Sequence, residues 1–549
     1  MKLRFFGLIS FFTLLYGVLV FNLYSIQVKN GDFYVARAES QLAAGAGTLV
    51  ALRGTIFFSD KEGNFVPAAV EKEYMEIYAV PTEVADAEET GRTVAFLLGL
   101  PEEEMVVKLK KAGDQYELLV KKATPEQIKA LAEAGEIAGI YSRKYGSRFY
   151  PLGTTAAQLI GFTAVNEDND RPTGVYGIER YFEERLAGVS GKTDGDYVKR
   201  PVAGKDVYLS IDRNIQSQAE EILTSLARRF TASGGSVIVE DPKTGRMLAM
   251  ANYPLFNPND YSVYNLGVFQ NPAVESVYEP GSVFKIITMS AGIDSGKITP
   301  ETVYYDSGEV KLNGRTIRNW DLKAYGRQTM TGVIEHSLNT GTVFAERQMG
   351  HSVFSEYLER FQIDEATGIS LPGEVEGSLG AMTGASPQDI NFATASFGQG
   401  VSVTPIGLLT AAATIANRGM MMRPILEVNE QPQEVGQIIS AEAARKVTAM
   451  MVSAVDGAVV AKIPGYTVAG KTGTAQVPDF KRGGYTEQYI HTYIGFVPAY
   501  NPKFIVMIKL DKPSAILAGQ TVVPAFKELA QFIINYYNIA PDKLATNNE

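Results

Sequence analysis

The longest unbroken hydrophobic stretch lies at the N-terminus, where residues 5–28 (FFGLISFFTLLYGVLVFNLYSIQV) carry no charged side chain. At a rise of about 1.5 Å per residue, a helix of this length spans a hydrocarbon core of about 30 Å. The stretch is too long for a signal peptide and lacks the polar stripe of a buried core helix, so we predict one uncleaved transmembrane helix. Lys2 and Arg4 then keep residues 1–4 in the cytoplasm, and everything after Lys29 lies outside.

Beyond this stretch, the hydrophobic pattern of residues 50–200 mixes two periods. Tyr74–Val80 and Glu117–Lys121 are strand-like, whereas Pro125–Ala134 and Ile178–Leu186 are helix-like, the latter with its charges on one side. This half of the body is therefore predicted to be a mixed α/β region.

A change in composition at residues 187–205 marks a predicted domain boundary, because Gly, Lys and Asp dominate there and apolar residues are isolated. We assign residues 29–200 to one domain and residues 205–540 to another. Residues 541–549 are left as a C-terminal tail.

The second domain opens and closes with β-hairpin patterns. Asp206–Ile211 reads as a strand, and Asp212 is a plausible N-cap for a helix through about Arg228. A hairpin is predicted for residues 235–254 (GSVIVEDPKTGRMLAMANYP). A second hairpin is predicted near the C-terminus, where two apolar runs (YIHTYIGFV and KFIVMIKL) flank the turn PAYNP. Gln520–Tyr536 carries an apolar face suited to a closing helix. These elements predict an α+β multidomain protein whose large domain packs helices against an antiparallel sheet.

Composition excludes several classes of function. The 549 residues are 45% hydrophobic and 20% charged, which is ordinary globular composition. The formal net charge of −10 gives no basis for nucleic-acid binding. Cysteine is absent and the three histidines are scattered, so disulfides, thiolate nucleophiles and zinc sites are not expected. We predict neither a metal nor a cofactor.

The sharpest local motif is Ser-x-x-Lys. Pro280 and Gly281 break the chain just before an apolar stretch, so Ser282 is predicted at the first turn of a helix. Residues i and i+3 share a helix face, so the Lys285 ammonium and the Ser282 hydroxyl can meet. A neutral lysine could then accept the serine proton, and the helix N-terminus favours negative charge nearby. Alone, this motif occurs by chance in many chains of this length.

Two further motifs follow in order and strengthen the interpretation. Ser337–Asn339 (SLN) begins 55 residues after Ser282, and Lys471–Thr474 (KTGT) begins 134 residues after that. The set supplies a nucleophile, a base, a hydroxyl that can relay a proton, an amide, and a cation with hydroxyls for a carboxylate. The order S-x-x-K, S-x-N, K-T-G is the signature of penicillin-interacting serine enzymes.

Other chemical readings of the sequence are weaker. Residues 465–472 (GYTVAGKT) match the Walker A pattern, but that motif requires a helix after it. The following GTAQVPDFKRGGY has no helical period, so we predict a strand over Tyr466–Val477. Glu374 and Glu376 could serve glycoside hydrolysis but are predicted to lie in a solvated loop, and His336 is taken as structural.

The chain resembles the class B penicillin-binding proteins, the monofunctional peptidoglycan transpeptidases, over nearly its whole length after the apolar stretch. Three motifs of that family's non-catalytic pedestal domain have similar segments here, as have two hallmarks of its transpeptidase domain. The pedestal segments are Arg53–Ile56 with Asp60–Gly63, Arg148–Pro151 with Gly153, Ala156 and Gly161, and Gly174–Glu179; the transpeptidase segments are Tyr278–Ser282 and Phe397–Gly400.

The resemblance implies a role for each residue of the first two motifs. Ser282 would attack the carbonyl between the two D-alanines of a stem peptide, and Lys285 would take the serine proton. Ser337 would relay a proton to the leaving D-alanine, and Asn339 would hold Lys285 and the substrate amide.

For the third motif, the resemblance implies substrate binding. Lys471, Thr472 and Thr474 would bind the terminal carboxylate, with Gly473 in the same substrate-binding strand. The backbone N–H groups of Ser282 and Thr474 would form the oxyanion hole. An amine from a neighbouring stem would resolve the acyl-enzyme, and β-lactams would acylate the same serine.

Three alternatives remain open within this resemblance. Asn339, where many elongation-type enzymes carry Asp, favours a division-type (septal) enzyme over an elongation-type one. A non-catalytic β-lactam sensor or scaffold of the cell-wall machinery is the second alternative, and a hydrolytic carboxypeptidase is the third. The implied partners are peptidoglycan stems ending in D-Ala-D-Ala, a membrane glycosyltransferase of the shape and division family, and other cell-wall synthesis proteins.

Overall fold

The computed structural model describes residues 15–16, 18–25, 47–49, 51–166, 169–194, 197–479 and 481–543. The chain forms two compact units. The first contains residues 1–55, 69–151 and 184–205, and the second contains residues 56–68, 152–183 and 206–549. The domain limits assigned from the sequence stay predictions, as does the tail, of which residues 544–549 lie outside the described residues.

Only part of the predicted transmembrane helix falls on described residues. Residues 15–16 and 18–24 are helical, and the rest of 5–28 lies outside the described residues apart from Ser25, as do residues 1–4. In the part of the chain that the structure describes, no helix combines the length and the apolar character needed to cross a bilayer. The transmembrane helix therefore stays a prediction.

The strands are mostly short, and several begin or end where the sequence analysis placed them. In chain order they are β1 (Gly47–Leu49), β2 (Ile56–Ser59), β3 (Phe65–Ala79), β4 (Glu117–Ala123), β5 (Ile140–Phe149), β6 (Thr163–Asn166), β7 (Asn169–Gly174), β8 (Gly191–Asp194), β9 (Tyr197–Lys199), β10 (Val207–Asp212), β11 (Gly234–Asp241), β12 (Arg246–Tyr253), β13 (Val303–Asp306), β14 (Glu309–Leu312), β15 (Arg315–Arg318), β16 (Gly326–Thr329), β17 (Met420–Met422), β18 (Glu434–Gln437), β19 (Ala469–Pro478), β20 (Tyr485–Val497) and β21 (Phe504–Asp511).

The α-helices that follow one another along the described chain range from one to five turns. They are α1 (Ala87–Leu98), α2 (Glu102–Leu109), α3 (Pro125–Glu133), α4 (Ala157–Ile160), α5 (Gly177–Tyr181), α6 (Glu183–Leu186), α7 (Arg213–Arg229), α8 (Pro272–Glu275), α9 (Lys285–Asp294), α10 (Met330–His336), α11 (Asn339–Met349), α12 (His351–Arg360), α13 (Asp389–Ala395), α14 (Pro405–Ala416), α15 (Ala441–Ala458) and α16 (Val522–Tyr536).

In the first unit, an antiparallel sheet packs against short helices. β5 pairs with β3 over Val70–Ala79, and β4 pairs with the opposite side of the same strand. Asp86 caps α1 by accepting from the N–H groups of Glu88 and Glu89, which explains where that helix starts. Apolar side chains from the sheet and the helices form the core of this unit, among them Ile77, Val94, Leu98, Met105 and Leu119.

The second unit is built on an antiparallel five-stranded sheet in the order β12-β11-β21-β20-β19. Both predicted hairpins are confirmed, because β11 pairs with β12 and β20 pairs with β21. Phe504–Asp511 is buried along nearly its whole length, as expected for a central strand. Among the described residues, β19 is the edge strand of this sheet, with a neighbouring strand on one side only.

Helices cover both faces of this sheet. On one face, α7 and α16 bury apolar stripes in a core that includes Ile215, Phe504 and Phe526. The predicted N-cap of α7 is confirmed, since the Asp212 carboxylate accepts from two N–H groups of the first turn. On the other face lies α14, an apolar helix that is buried almost throughout. The predicted mixed α/β, multidomain architecture is therefore confirmed.

Candidate active site

Ser282 lies in a tight turn that leads into α9, and the space between this turn, Ser337 and β19 is called the cleft. Residues Gly281–Phe284 form a 3₁₀ turn, and α9 continues from Lys285. Gly281 has φ +58°, and a Cβ on it would lie 2.8 Å from the Cβ of Ala475 in β19. Only glycine tolerates both conditions, so this position brings the turn close to the strand. Ser282 itself is half-buried, which leaves its side chain within reach of a ligand.

Lys285 is fully buried and makes its hydrogen bonds to neutral groups. Its Nζ donates to the Ser337 carbonyl (2.6 Å), to Asn339 Oδ1 (2.8 Å) and, over 3.4 Å, to Ser337 Oγ. Burial, and then the nearby charge of Lys471, hold the pKa of Lys285 well below its usual value. A lowered pKa favours the neutral amine, the form that can act as a base. The contact with Ser282 that the i, i+3 spacing predicts is not among these bonds.

Ser337 connects the two lysines of the cleft. Its Oγ lies 3.0 Å from Lys471 Nζ and 3.4 Å from Lys285 Nζ. The residue follows α10 in the left-handed region, with φ +57° and ψ +44°. A non-glycine residue in that conformation is strained and persists where its surroundings hold it. Ser337 therefore sits, held by contacts from both sides, where a hydroxyl can pass a proton between amines.

Asn339 is the first residue of α11 and is held on three sides. Its Oδ1 accepts from Lys285, and its Nδ2 donates to the Arg318 carbonyl over 2.8 Å. The Asn339 backbone N–H donates to Asn319 Oδ1 at 3.0 Å, so a side chain from a separate loop caps this helix. The amide orientation follows from this network, with the oxygen facing the lysine.

A buried carboxylate fixes that capping residue. Asp306 Oδ2 accepts from Asn319 Nδ2 (2.9 Å) and from the Tyr325 backbone N–H (2.9 Å). Asp306 Oδ1 accepts from Thr340 Oγ1 (2.7 Å) and the Gly308 backbone N–H (3.0 Å). Asp306, at the end of β13, and Asn319, in the loop after β15, are not marked by any pattern in the sequence, because only folding brings them to α11.

Lys471 approaches the same place from the edge strand. Its side chain is buried, and Nζ donates to Ser337 Oγ (3.0 Å) and to the Thr472 carbonyl (2.9 Å). Burial lowers the pKa of Lys471 to about 7. A carboxylate arriving beside this amine would raise that pKa again and form a charge-assisted hydrogen bond.

The alternation of β19 divides its residues between two faces. Lys471, Gly473 and Ala475 face the Ser282 turn, and a Cβ on Gly473 would lie 3.1 Å from the Pro280 carbonyl oxygen. Thr472 and Thr474 face the other way and are half-buried, and Thr474 Oγ1 accepts from the Ala518 backbone N–H over 3.3 Å. Because β19 is an edge strand, a ligand lying alongside it can be reached from both faces.

A second set of contacts braces the turn from outside. Glu279 Oε1 accepts from the Gly400 N–H, and its Oε2 accepts from the Tyr485 hydroxyl, both over 3.0 Å. Burial raises the pKa of the Glu279 carboxyl. The Gly281 N–H donates to the Gly398 carbonyl over 3.0 Å. These bonds join the segment before Ser282 to the Phe397–Gly400 motif and to β20.

Neither the Walker A interpretation nor the glycoside-hydrolysis interpretation has the local structure that it requires. Residues 465–472 lead into β19, and the strand continues to Pro478 where the nucleotide motif needs a helix. Glu374 uses its carboxylate within a turn, accepting from the Thr367 N–H and hydroxyl and from the Gly368 N–H. The predicted strand and the predicted loop are both confirmed.

The chain is similar to known proteins in sequence and in fold. Residues 235–531 match the penicillin binding protein transpeptidase domain, and residues 48–209 match the penicillin-binding protein dimerisation domain. The chain is 30% identical to the probable peptidoglycan D,D-transpeptidase PbpC of Pseudomonas aeruginosa, over 96% of this chain and 95% of that protein. It is 30% identical to peptidoglycan D,D-transpeptidase FtsI of Escherichia coli, over 95% and 88%. Penicillin binding protein 2X of Streptococcus thermophilus has the same fold, with a TM-score of 0.74, 24% identity, and coverage of 90% and 81%.

Proposed function

The chain belongs to the class B penicillin-binding proteins, and from that premise we propose that Ser282 is the nucleophile with which it cross-links peptidoglycan. The enzyme is a D,D-transpeptidase, a serine acyltransferase. The observation that carries the residue assignment is the chain of contacts Lys285–Ser337–Lys471, which lies between the Ser282 helix and the edge strand.

Acylation begins when Ser282 Oγ bonds to the carbonyl carbon between the two D-alanines. The serine proton passes to the amine of Lys285, whose burial lowers its pKa and so favours the neutral form. The carbon–nitrogen bond of the substrate then breaks, and the leaving amine receives a proton through Ser337. The backbone N–H groups of Ser282 and Thr474 stabilise the oxyanion that forms on the carbonyl oxygen.

Recognition of the substrate's terminal carboxylate falls to the edge strand. Lys471 supplies the cation, and the hydroxyls of Thr472 and Thr474 supply hydrogen bonds. Gly473 lets the substrate backbone and the Ser282 turn approach the strand closely, since any side chain there meets Pro280 and Val283. Asn339 holds Lys285 in place and faces the amide of the stem.

The second half of the reaction transfers the acyl group. The amine of a neighbouring stem attacks the ester carbonyl, its carbon–nitrogen bond forms, and the carbon–oxygen bond to Ser282 breaks. Ser282 recovers its proton and the product is a cross-link. Product analysis with a donor stem and an acceptor amine separates this transfer from a carboxypeptidase reaction, in which water replaces the amine.

Labelling with a fluorescent penicillin, followed by peptide mass mapping, tests the nucleophile. The wild-type chain should carry the label on Ser282, and Ser282→Ala should carry none. Ser295→Ala, at the end of the same helix, is the matched control and should label as the wild type does. A label on another residue, or an unchanged label in Ser282→Ala, contradicts the assignment.

We also propose the setting in which the enzyme works. Residues 5–28 anchor it in the membrane with the body outside, and a membrane glycosyltransferase and other cell-wall proteins are its partners. Similarity to FtsI and the Asn339 position support the division septum over elongation of the side wall. Depleting the protein should give filaments if the role is septal and rounded cells if it is elongation. Release of the chain by salt or alkaline washing of membranes would contradict the anchor.

A further inference from the structure

The loop of residues 512–521 lies against the edge strand at Thr474. The Ala518 backbone N–H donates to Thr474 Oγ1 over 3.3 Å. A threonine hydroxyl has one hydrogen to donate and two lone pairs to accept with. With one lone pair engaged by Ala518, the hydroxyl hydrogen of Thr474 is left to be donated elsewhere.

His491 fastens this loop on both sides of Ala518. It stands directly opposite Thr474 in the pairing of β19 with β20 and is fully buried. Its Nε2 lies 3.1 Å from the Ile516 carbonyl oxygen, and its Nδ1 lies 2.8 Å from Thr521 Oγ1. The two anchor points stand two and three residues from Ala518.

These contacts define the state of the imidazole. The Ile516 carbonyl can only accept, so Nε2 carries the hydrogen, and Nδ1 accepts from the Thr521 hydroxyl. Burial lowers the pKa of His491 to about 4, so the ring is neutral at physiological pH. Neither the nucleophile, the base nor the proton relay uses this histidine.

We propose that His491 is a positioning residue, which holds the loop of residues 512–521 so that Ala518 fixes the Thr474 hydroxyl as a donor to the substrate carboxylate. The proposal rests on the carboxylate-binding role given to Thr474 above. Ala518 is also buried in the apolar core, so losing the two anchors loosens its N–H against Thr474 rather than releasing it. The Thr474 hydroxyl then rotates more freely and is directed less strictly toward the edge of β19.

The test compares two substitutions and two probes. His491→Phe keeps the ring volume and removes both hydrogen bonds, whereas His491→Gln retains a donor that can reach the Ile516 carbonyl. The probes are a fluorescent penicillin and its methyl ester, which lacks the carboxylate charge. Second-order acylation rates are measured for both, with His351→Phe as a control at a partly exposed histidine.

His491→Phe should acylate about tenfold more slowly with the penicillin and change less than twofold with the methyl ester, since one charge-assisted hydrogen bond is lost. His491→Gln should recover most of the penicillin rate. Equal losses with both probes would mean that His491 only supports the fold, and no loss would mean that the loop does not position Thr474. Either result overturns the proposal.

If His491→Phe is unstable, the proposal can be tested in the Thr474→Val variant instead. In Thr474→Val the hydroxyl is absent, so adding His491→Gln or Thr521→Val should leave the ratio of penicillin to ester rates unchanged. A further fall in that ratio would contradict the proposal. Failure of the proposed function is distinct from this, because it appears as penicillin labelling that persists in Ser282→Ala.

Discussion

The first unit and the cleft of the second unit place their lysines in opposite surroundings. In the first unit, lysines with side chains half or more exposed reach carboxylates across the surface; these pairs are Lys110–Glu88, Lys111–Glu117 and Lys144–Glu73. In the cleft, Lys285 and Lys471 are buried and bond to carbonyl, amide and hydroxyl oxygens, and the described residues offer neither of them a carboxylate.

The difference shows how the surroundings of a lysine decide whether its amine is reactive. Exposed ion pairs contribute little to stability, because water solvates both groups. Burying an amine without a counter-charge destabilises the fold and favours the neutral form. The cleft therefore keeps two amines ready to take a proton or an anion, and the first unit has none of this kind among its described residues.

The largest effect should come from removing the proposed base. Lys285→Met should lower the second-order rate of acylation by penicillin about 1,000-fold, because general-base catalysis contributes on the order of 100- to 10,000-fold. The rate is read from the appearance of labelled protein with time. Lys297→Met, at an exposed lysine beyond the same helix, should acylate at the wild-type rate. A loss of less than tenfold in Lys285→Met would contradict the role of base.

The positioning network should give the next largest effect. Asn319→Ala removes the group that accepts from the Asn339 N–H, and misplacement of a catalytic group costs up to about 100-fold. We expect the maximal acylation rate to fall 10- to 100-fold while the penicillin concentration at half-saturation changes little. Asn319→Asp keeps an acceptor but sets a second carboxylate against Asp306, so it should not recover the rate. A change only in the penicillin concentration at half-saturation would contradict this role. The control is Lys311→Ala, at an exposed position on β14.

Stability should depend on pH because of the buried amines. Burial holds the pKa of Lys471 at about 7 against its ordinary 10.5, so the unfolded chain binds more protons between those values. The free energy of unfolding should therefore rise as pH increases from 7 toward 10, and this gain is lost as pH falls. Urea unfolding at several pH values measures the slope, which Lys471→Met should reduce. Equal slopes in Lys471→Met and in the exposed control Lys481→Met would contradict the assignment.

The smallest effect should come from the surface pairs of the first unit. Lys144→Ala removes the partner of Glu73, where both side chains are about 70% exposed. We expect a melting temperature lower by no more than about 2 °C and an unchanged acylation rate, since water solvates both groups. Differential scanning calorimetry and the labelling assay check this. A larger decrease in melting temperature would contradict the view that the exposed pairs of the first unit contribute little to stability.

Elements whose causes are local could be predicted from the sequence. Asp212 caps α7 because its carboxylate accepts from the N–H groups of Asn214 and Ile215, and both hairpins follow from short turns between apolar strands. The Ser282, Ser337 and Lys471 motifs were visible because their chemistry needs fixed residue types at short spacing. The structure brings the three motifs together, while the role of each residue stays a prediction.

Features that depend on tertiary contact were beyond the sequence. The helix predicted over 178–186 is two helices, because Phe182 leaves helical geometry with φ −99° and ψ +24°. Ser337, the left-handed cap of α10, contacts lysines that are 52 and 134 residues away along the chain. Asp306, at the end of β13, and Asn319, after β15, act on α11 from other segments of the chain, and no periodic pattern marks such a pair.

The open side of β19 has a consequence for how inhibitors are escaped. A peptide that pairs with this edge adds a sixth strand through backbone N–H and C=O groups, which every amino acid except proline presents. Apart from a change to proline, substitution cannot delete those groups, and stems and drugs that use them are recognised in common. Selection for resistance would therefore have to act on the neighbouring side chains and loops. Such changes would alter the surface that an inhibitor contacts while the edge of β19 still binds the stem.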